Sequence, residues 1–190
     1  MKVIAFAAAL LLGAAAPAAA QVPARLAPDW VAAQIREHGR IPEDVWPEVR
    51  GRAELVEVAV GMIEDTQRPM SLRVRAVFML GAADHPRGDE YVAALVAREP
   101  RDAPLRWAGL IALAAGERAP AVPAVYDVLA EVLRTGSEQE RISAAQSLGA
   151  LGSERGRQIL RDRLPQETVQ SVRLTIRDAL AHRPGAPANP

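Results

Sequence analysis

Four arginines recur along the chain at near-constant intervals. Arg73, Arg106, Arg141 and Arg173 are separated by 33, 35 and 32 residues. A row of such cations could hold an anion. It could also be structural, each arginine standing near the start of a helix and pairing with a carboxylate or carbonyl of the neighbouring unit. Residues placed by a repeat serve the repeat first, which favours the structural role. Trp107 could stack on a ligand, but its aligned counterparts are Val74, Ile142 and Leu174. A position apolar in every copy is expected in the core. The three histidines, His38, His85 and His182, are far apart in sequence, and no His-Glu pair occurs. Metal ligation is not expected from that spacing. The absence of cysteine excludes a disulfide scaffold, a thiolate zinc site, a catalytic thiol and a lipid-modified N-terminal cysteine. No G-x-S-x-G elbow and no phosphate-binding glycine loop is present, and no carboxylate is marked out by a local motif. No catalytic residue, cofactor ligand or metal ligand is therefore assigned.

The elements that would carry these residues follow from the same spacing. Arg73–Gly81, Arg106–Ala114, Arg141–Gly149 and Arg173–Ala181 each read as Arg, an apolar residue next, a mostly small residue three on, Leu seven on, and Gly or Ala eight on. Offsets one, three and seven are assigned to one face of a helix. A second amphipathic segment lies between copies: Tyr91, Val92, Leu95 and Val96; then Val125, Val128, Leu129, Val132 and Leu133; then Ile159, Leu160 and Leu164. Ser137 with Glu140 forms a capping box behind Gly136. Gly152 followed by Ser153 reads as a helix end and a helix start. Pro120 and Pro123 suit a first helical turn. Helices are predicted at 70–82, 88–98, 103–115, 121–134, 138–151, 154–164 and 167–182. A further helix is predicted from Pro47 through Asp65, with Val49, Val56, Val60 and Ile63 inward, and a shorter one from Asp29 to His38. Arg40–Glu43 reads as a loop. Trp30 and Trp46 are expected to cover the open N-terminal end of the core. The fold class is all-α, an α-solenoid or superhelix of antiparallel helix pairs.

The segment Arg141–Gly152 resembles the HEAT repeats, in particular the short bacterial HEAT-like type of the phycobilisome lyases, whose first helix carries R-x-x-A-x-x-x-L-G. The resemblance covers residues 66–182. The second copy departs from it at Gly109 and Ala114, and the fourth at Ile176. It implies stacked helix pairs that share one core, with end units acting as caps. HEAT-like hydroxylases hold iron through repeated His-Glu dipeptides, whereas here only the reversed Glu37-His38 occurs. HEAT-like DNA glycosylases rely on a basic concave face, so the balanced charge of this chain points away from nucleic acid.

Residues 1–20 read as a secretory signal peptide. Lys2 supplies the positive start, Val3–Leu12 an apolar run, and Ala18–Ala20 a small-residue cleavage site, with cutting expected between Ala20 and Gln21. Cleavage would remove the only lysine and leave 22 Arg against 23 acids, a net charge of −1. The expected organisation is a signal peptide (1–20), an N-terminal helical cap region (21–65), the repeat domain (66–182) and a disordered tail (183–190). The product would be periplasmic or secreted, with no stable membrane span after cleavage; the alternative is that the segment, free of charge from Val3 to Ala24, is retained as an anchor. Charge is uneven: Ile41–Asp65 holds seven acids and two Arg, while Glu154–Arg183 holds seven Arg and four acids. The expected function is a non-catalytic scaffold that binds a protein partner in the cell envelope through a concave surface. Tyr126, Glu131, Arg134, Arg157 and Arg161 are assigned to that wall. The alternatives are an enzyme or enzyme accessory of the tetrapyrrole-lyase type, resting on the resemblance alone, and a cell-wall-associated envelope protein.

Overall fold

The computed structural model of the 190-residue chain describes residues 27–38, 40, 42–100, 103–114 and 122–181. Among them the regular elements are all helical. They run α1 (Pro28–His38), α2 (Trp46–Val49), α3 (Ala53–Glu64), α4 (Met70–Ala82), α5 (Pro86–Arg98), α6 (Pro104–Ala114), α7 (Pro123–Thr135), α8 (Glu138–Ala150), α9 (Glu154–Arg163) and α10 (Gln170–Ala181), with a short 3-10 turn at Leu164–Gln166. The export segment with Ala20 and Gln21, the tail 183–190, Pro120, His182 and the side chain of His38 lie outside the described residues.

Helix ends follow the local chemistry. Ser137 Oγ accepts from the Glu140 N–H at 3.3 Å, while Glu140 Oε2 accepts from the Ser137 N–H at 2.8 Å, so the capping box is complete. Gly152 adopts φ +60°, and Ser153 Oγ then accepts from the Gly156 N–H at 3.0 Å to start α9. Pro86, Pro104 and Pro123 each open a helix, where a missing N–H costs nothing. His85 is an N-cap, its Nδ1 accepting from the Arg87 N–H at 3.2 Å.

The helix predicted from Pro47 to Asp65 is two helices. Gly51 breaks it with φ +75°, a conformation that a residue with a Cβ adopts only at a cost. The freed Gly51 N–H donates to the Ala83 carbonyl at 2.8 Å, and Arg50 meets Asp84 at 3.0 Å. The break thereby docks one turn onto another. Val49, Val56 and Ile63 are buried as predicted, and Val60 is partly buried.

The Arg-bearing helices pack in series, α4 on α6, α6 on α8 and α8 on α10. The intervening helices do the same, α3 on α5, α5 on α7 and α7 on α9. The two rows meet through α3 with α4, α5 with α6 and α7 with α8, and one apolar core runs between them. Trp30 and Trp46 pack part-buried against that core. Offsets three and seven of the repeat supply much of it: Ala76, Leu80, Ala108's neighbour Gly109, Leu113, Ala144, Leu148 and Ile176 are buried. The eighth-offset glycine also has a reason. A Cβ on Gly81 would stand 2.7 Å from Ala112 Cβ, and one on Gly149 would stand 2.8 Å from Ala179 Cβ. Adjacent Arg-bearing helices approach too closely there for any side chain.

Candidate functional site

Three of the four recurrent arginines are spent inside the fold. Arg73 Nε donates to the Ile63 carbonyl at 2.7 Å, an Arg106 terminal nitrogen to the Val96 carbonyl, and an Arg141 terminal nitrogen to the Gly136 carbonyl at 2.8 Å. Each acceptor lies in the last turn or at the cap of the preceding helix. Carbonyls there lack intrahelical donors and carry the negative end of the helix dipole, so a guanidinium satisfies both needs. Arg106 Nε also reaches Glu140 Oε1 at 2.8 Å, and Arg141 Nε lies 3.1 Å from Glu167 Oε2, which accepts from Arg163 at 2.8 Å. Burial pushes the Glu140 carboxyl up, but Arg106 and the Ser137 cap outweigh it and hold the group below its ordinary value. Glu167 behaves likewise: burial raises it, and the Val169 N–H, Arg163 and Arg141 bring it down. Arg173 Nε is buried with no hydrogen-bond partner among the described residues. Arg73, Arg106 and Arg141 are thus structural ties between helices rather than an anion ladder.

The residues assigned to the binding wall separate into two self-contained groups. Glu131 and Arg134 on α7 bond each other through two contacts, at 2.7 and 3.0 Å. On α9, Arg157 and Arg161 share Glu154, at 3.1 and 2.8 Å, and Arg157 also donates to the Gly152 carbonyl. Their charge is therefore largely met within the chain. Tyr126 is not outward: it is 4% exposed, because i, i+3, i+7 spacing places it with Leu129 and Leu133 on the buried stripe of α7. The Arg155 guanidinium covers its ring, 5.0 Å from the centroid, and bonds Asp127. Glu131 does border an open groove of about 550 Å³ between α5 and α7, floored by Ala93, Ala97 and Val128.

Trp107 is not core either. It is 41% exposed, and Leu174 at the same offset is 46% exposed. A helix turns about 100° per residue, so offset one stands about 160° from offset three and cannot share its face. Offset five joins the exposed side, with Phe78 at 39% and Ile111 at 37%, and Met70 lies on the same α4 stripe. Ile142 and Val74, the other offset-one residues, are partly buried. The Arg-bearing helices thus present an apolar row to solvent, densest on α4 and α6. The helical period alone could have revealed it, since Met70, Val74 and Phe78, like Trp107 and Ile111, are spaced by four.

Among the described residues no group of three or more His, Asp or Glu is placed to hold a metal ion, and no helix is long and apolar enough to cross a membrane. A scan of the chain against family models returned no match, and searches of curated proteins and of solved structures returned none.

Proposed function

We propose that this chain is an exported α-solenoid of HEAT-like units, built of antiparallel helix pairs, that binds a protein partner in the cell envelope and catalyses no reaction itself. The serial packing of the two helix rows supports the solenoid, and the composition of residues 1–20 supports export. The observation that carries the binding reading is the apolar row of Phe78, Trp107, Ile111 and Leu174. Large apolar side chains grouped on one face lose their water on docking, and aromatic residues dominate the energetics of such contacts.

The test is a photo-crosslinking amino acid placed at Ile111, with one at Gln158 on α9 as the comparison, in the native envelope. The expected outcome is an adduct of defined mass from position 111, absent from position 158 and lost on Trp107→Glu. A second location is the groove between α5 and α7, favoured by its open volume beside Glu131. An adduct retained after Trp107→Glu but lost after Arg157→Glu with Arg161→Glu would move the docking face to the α7–α9 side. Equal labelling at both positions would defeat the scaffold reading.

A further inference from the structure

A cavity of about 400 Å³ opens between α1, the turn before α2, and α4. Ile35, Trp46, Phe78 and Met79 give it an apolar lining, and Arg40, Glu43 and Arg75 stand around it. We propose that it binds a small amphiphilic carboxylate, the apolar body inside and the acid group on Arg75.

Size and lining come first. The volume lies within the range of small-molecule sites, and such sites combine mostly apolar walls with a few fixed polar groups. Three separate segments contribute walls, so the space suits an alkyl chain or a single ring better than a docked helix. Charge selects the headgroup. Among the described lining residues the one acid, Glu43, is ion-paired with Arg40 at 2.9 Å, which leaves Arg75 as the lining cation with no ion pair to a described carboxylate. The sequence of α4 contains no acid at all. Arg75 is also held in place: one of its terminal nitrogens donates to the Ile35 carbonyl in the last turn of α1 at 3.0 Å. A guanidinium has five N–H donors in a planar fork, so one such anchor leaves donors for a carboxylate. An amine would meet like charge here, and an alcohol would leave the fork unmatched. The inference does not depend on the protein-docking reading, since the cavity needs no partner to form.

Calorimetric titration of the purified chain with decanoate, decanol and decyltrimethylammonium, all below their aggregation ranges, tests it. Decanoate should bind saturably at one site, about ten-fold or more tighter than decanol, with the ammonium weakest. Arg75→Gln should bring decanoate down to the decanol affinity and leave decanol unchanged. Because Arg75 also ties α1 to α4, a second variant is needed. Ala82 is exposed at the cavity edge, and Ala82→Trp should block both ligands with the helical circular dichroism intact. Arg177→Gln, exposed on α10, should change nothing. Absence of saturable decanoate binding, equal binding of decanoate and the ammonium, or decanoate affinity unmoved by both Arg75→Gln and Ala82→Trp would overturn the proposal.

Discussion

Glu140 serves two partners with one carboxylate. One oxygen closes the cap of α8 on the Ser137 N–H, and the other meets Arg106 on α6. Both ends of the ion pair are buried. A buried pair gains little over a well-packed apolar substitute, but breaking it leaves a cation without compensation in a medium that solvates it poorly. Glu140→Gln keeps the shape and removes the charge. It is expected to lower the unfolding free energy by about 3 kcal/mol, whereas Ser137→Ala, which removes only one cap bond, should cost about 1 kcal/mol. Urea midpoints of the two variants check the ordering. If Glu140→Gln proved as mild as Ser137→Ala, the Arg106 contact would not be a stabilising tie. The same comparison separates what a motif can show from what it cannot. The S-x-x-E box was readable because both of its groups lie within four residues. Arg106 lies thirty-four residues away, and only the packing of α6 on α8 brings it to Glu140.

Helices were legible wherever punctuation and period agreed. Pro123, Gly136, Ser137, Gly152 and Ser153 mark real ends, each by a backbone requirement that is local. Two features escaped for physical reasons. Gly51 lies inside an apolar period that continues on both sides, so the period conceals the break, and the contact that rewards it is on Ala83. The outward direction of offset one is hidden by its apolar character, which marks burial only on the inward face, and the angular position on α6 turns Trp107 to solvent. Glycines at the two kinds of site should respond differently to a methyl group. Gly149→Ala would place a Cβ 2.8 Å from Ala179 Cβ and force α8 from α10, so a loss of about 1–3 kcal/mol is expected. At Gly51 no atom lies within 4 Å of the added Cβ, and the cost is conformational alone, about 1–2 kcal/mol. Ala179→Gly in the same chain should recover part of the loss in Gly149→Ala and none in Gly51→Ala. Denaturation of the four proteins decides this, and equal recovery in both would mean that the α8–α10 approach is not the cause.

Three junctions along the chain are tied by a carboxylate. Glu64 of α3 bonds Tyr91 and Arg98 of α5, Glu140 of α8 bonds Arg106 of α6, and Glu167 joins Arg141 of α8 to Arg163 of α9. All three carboxyls are held below their ordinary values: Glu64 by bonds from Tyr91 and Arg98, the other two by partners that outweigh the opposing effect of burial. In the unfolded chain these groups regain a carboxyl near pH 4.3, the usual glutamate value of about that size. The unfolded state therefore binds protons first as pH falls, and the stabilisation is present above that value and lost as pH drops through the lower folded values. Thermal midpoints should be nearly level from about pH 7 to about pH 5 and fall steeply below about pH 4. Replacing all three residues by Gln should lower the midpoint at pH 7 and flatten the acid limb, because the titrating ties are gone. Tyr91 shifts the opposite way, raised by burial and by Glu64, so it remains a neutral donor across this range and does not contribute to the acid limb. An acid limb as steep in the triple variant as in the natural chain would place the pH sensitivity elsewhere. Since the ties lie at three separate interfaces, acid should loosen several contacts between helices together, while the apolar core that runs between the two rows is untouched by protonation. Loss of the sharp thermal transition ahead of loss of helical signal is the order of events that this arrangement requires.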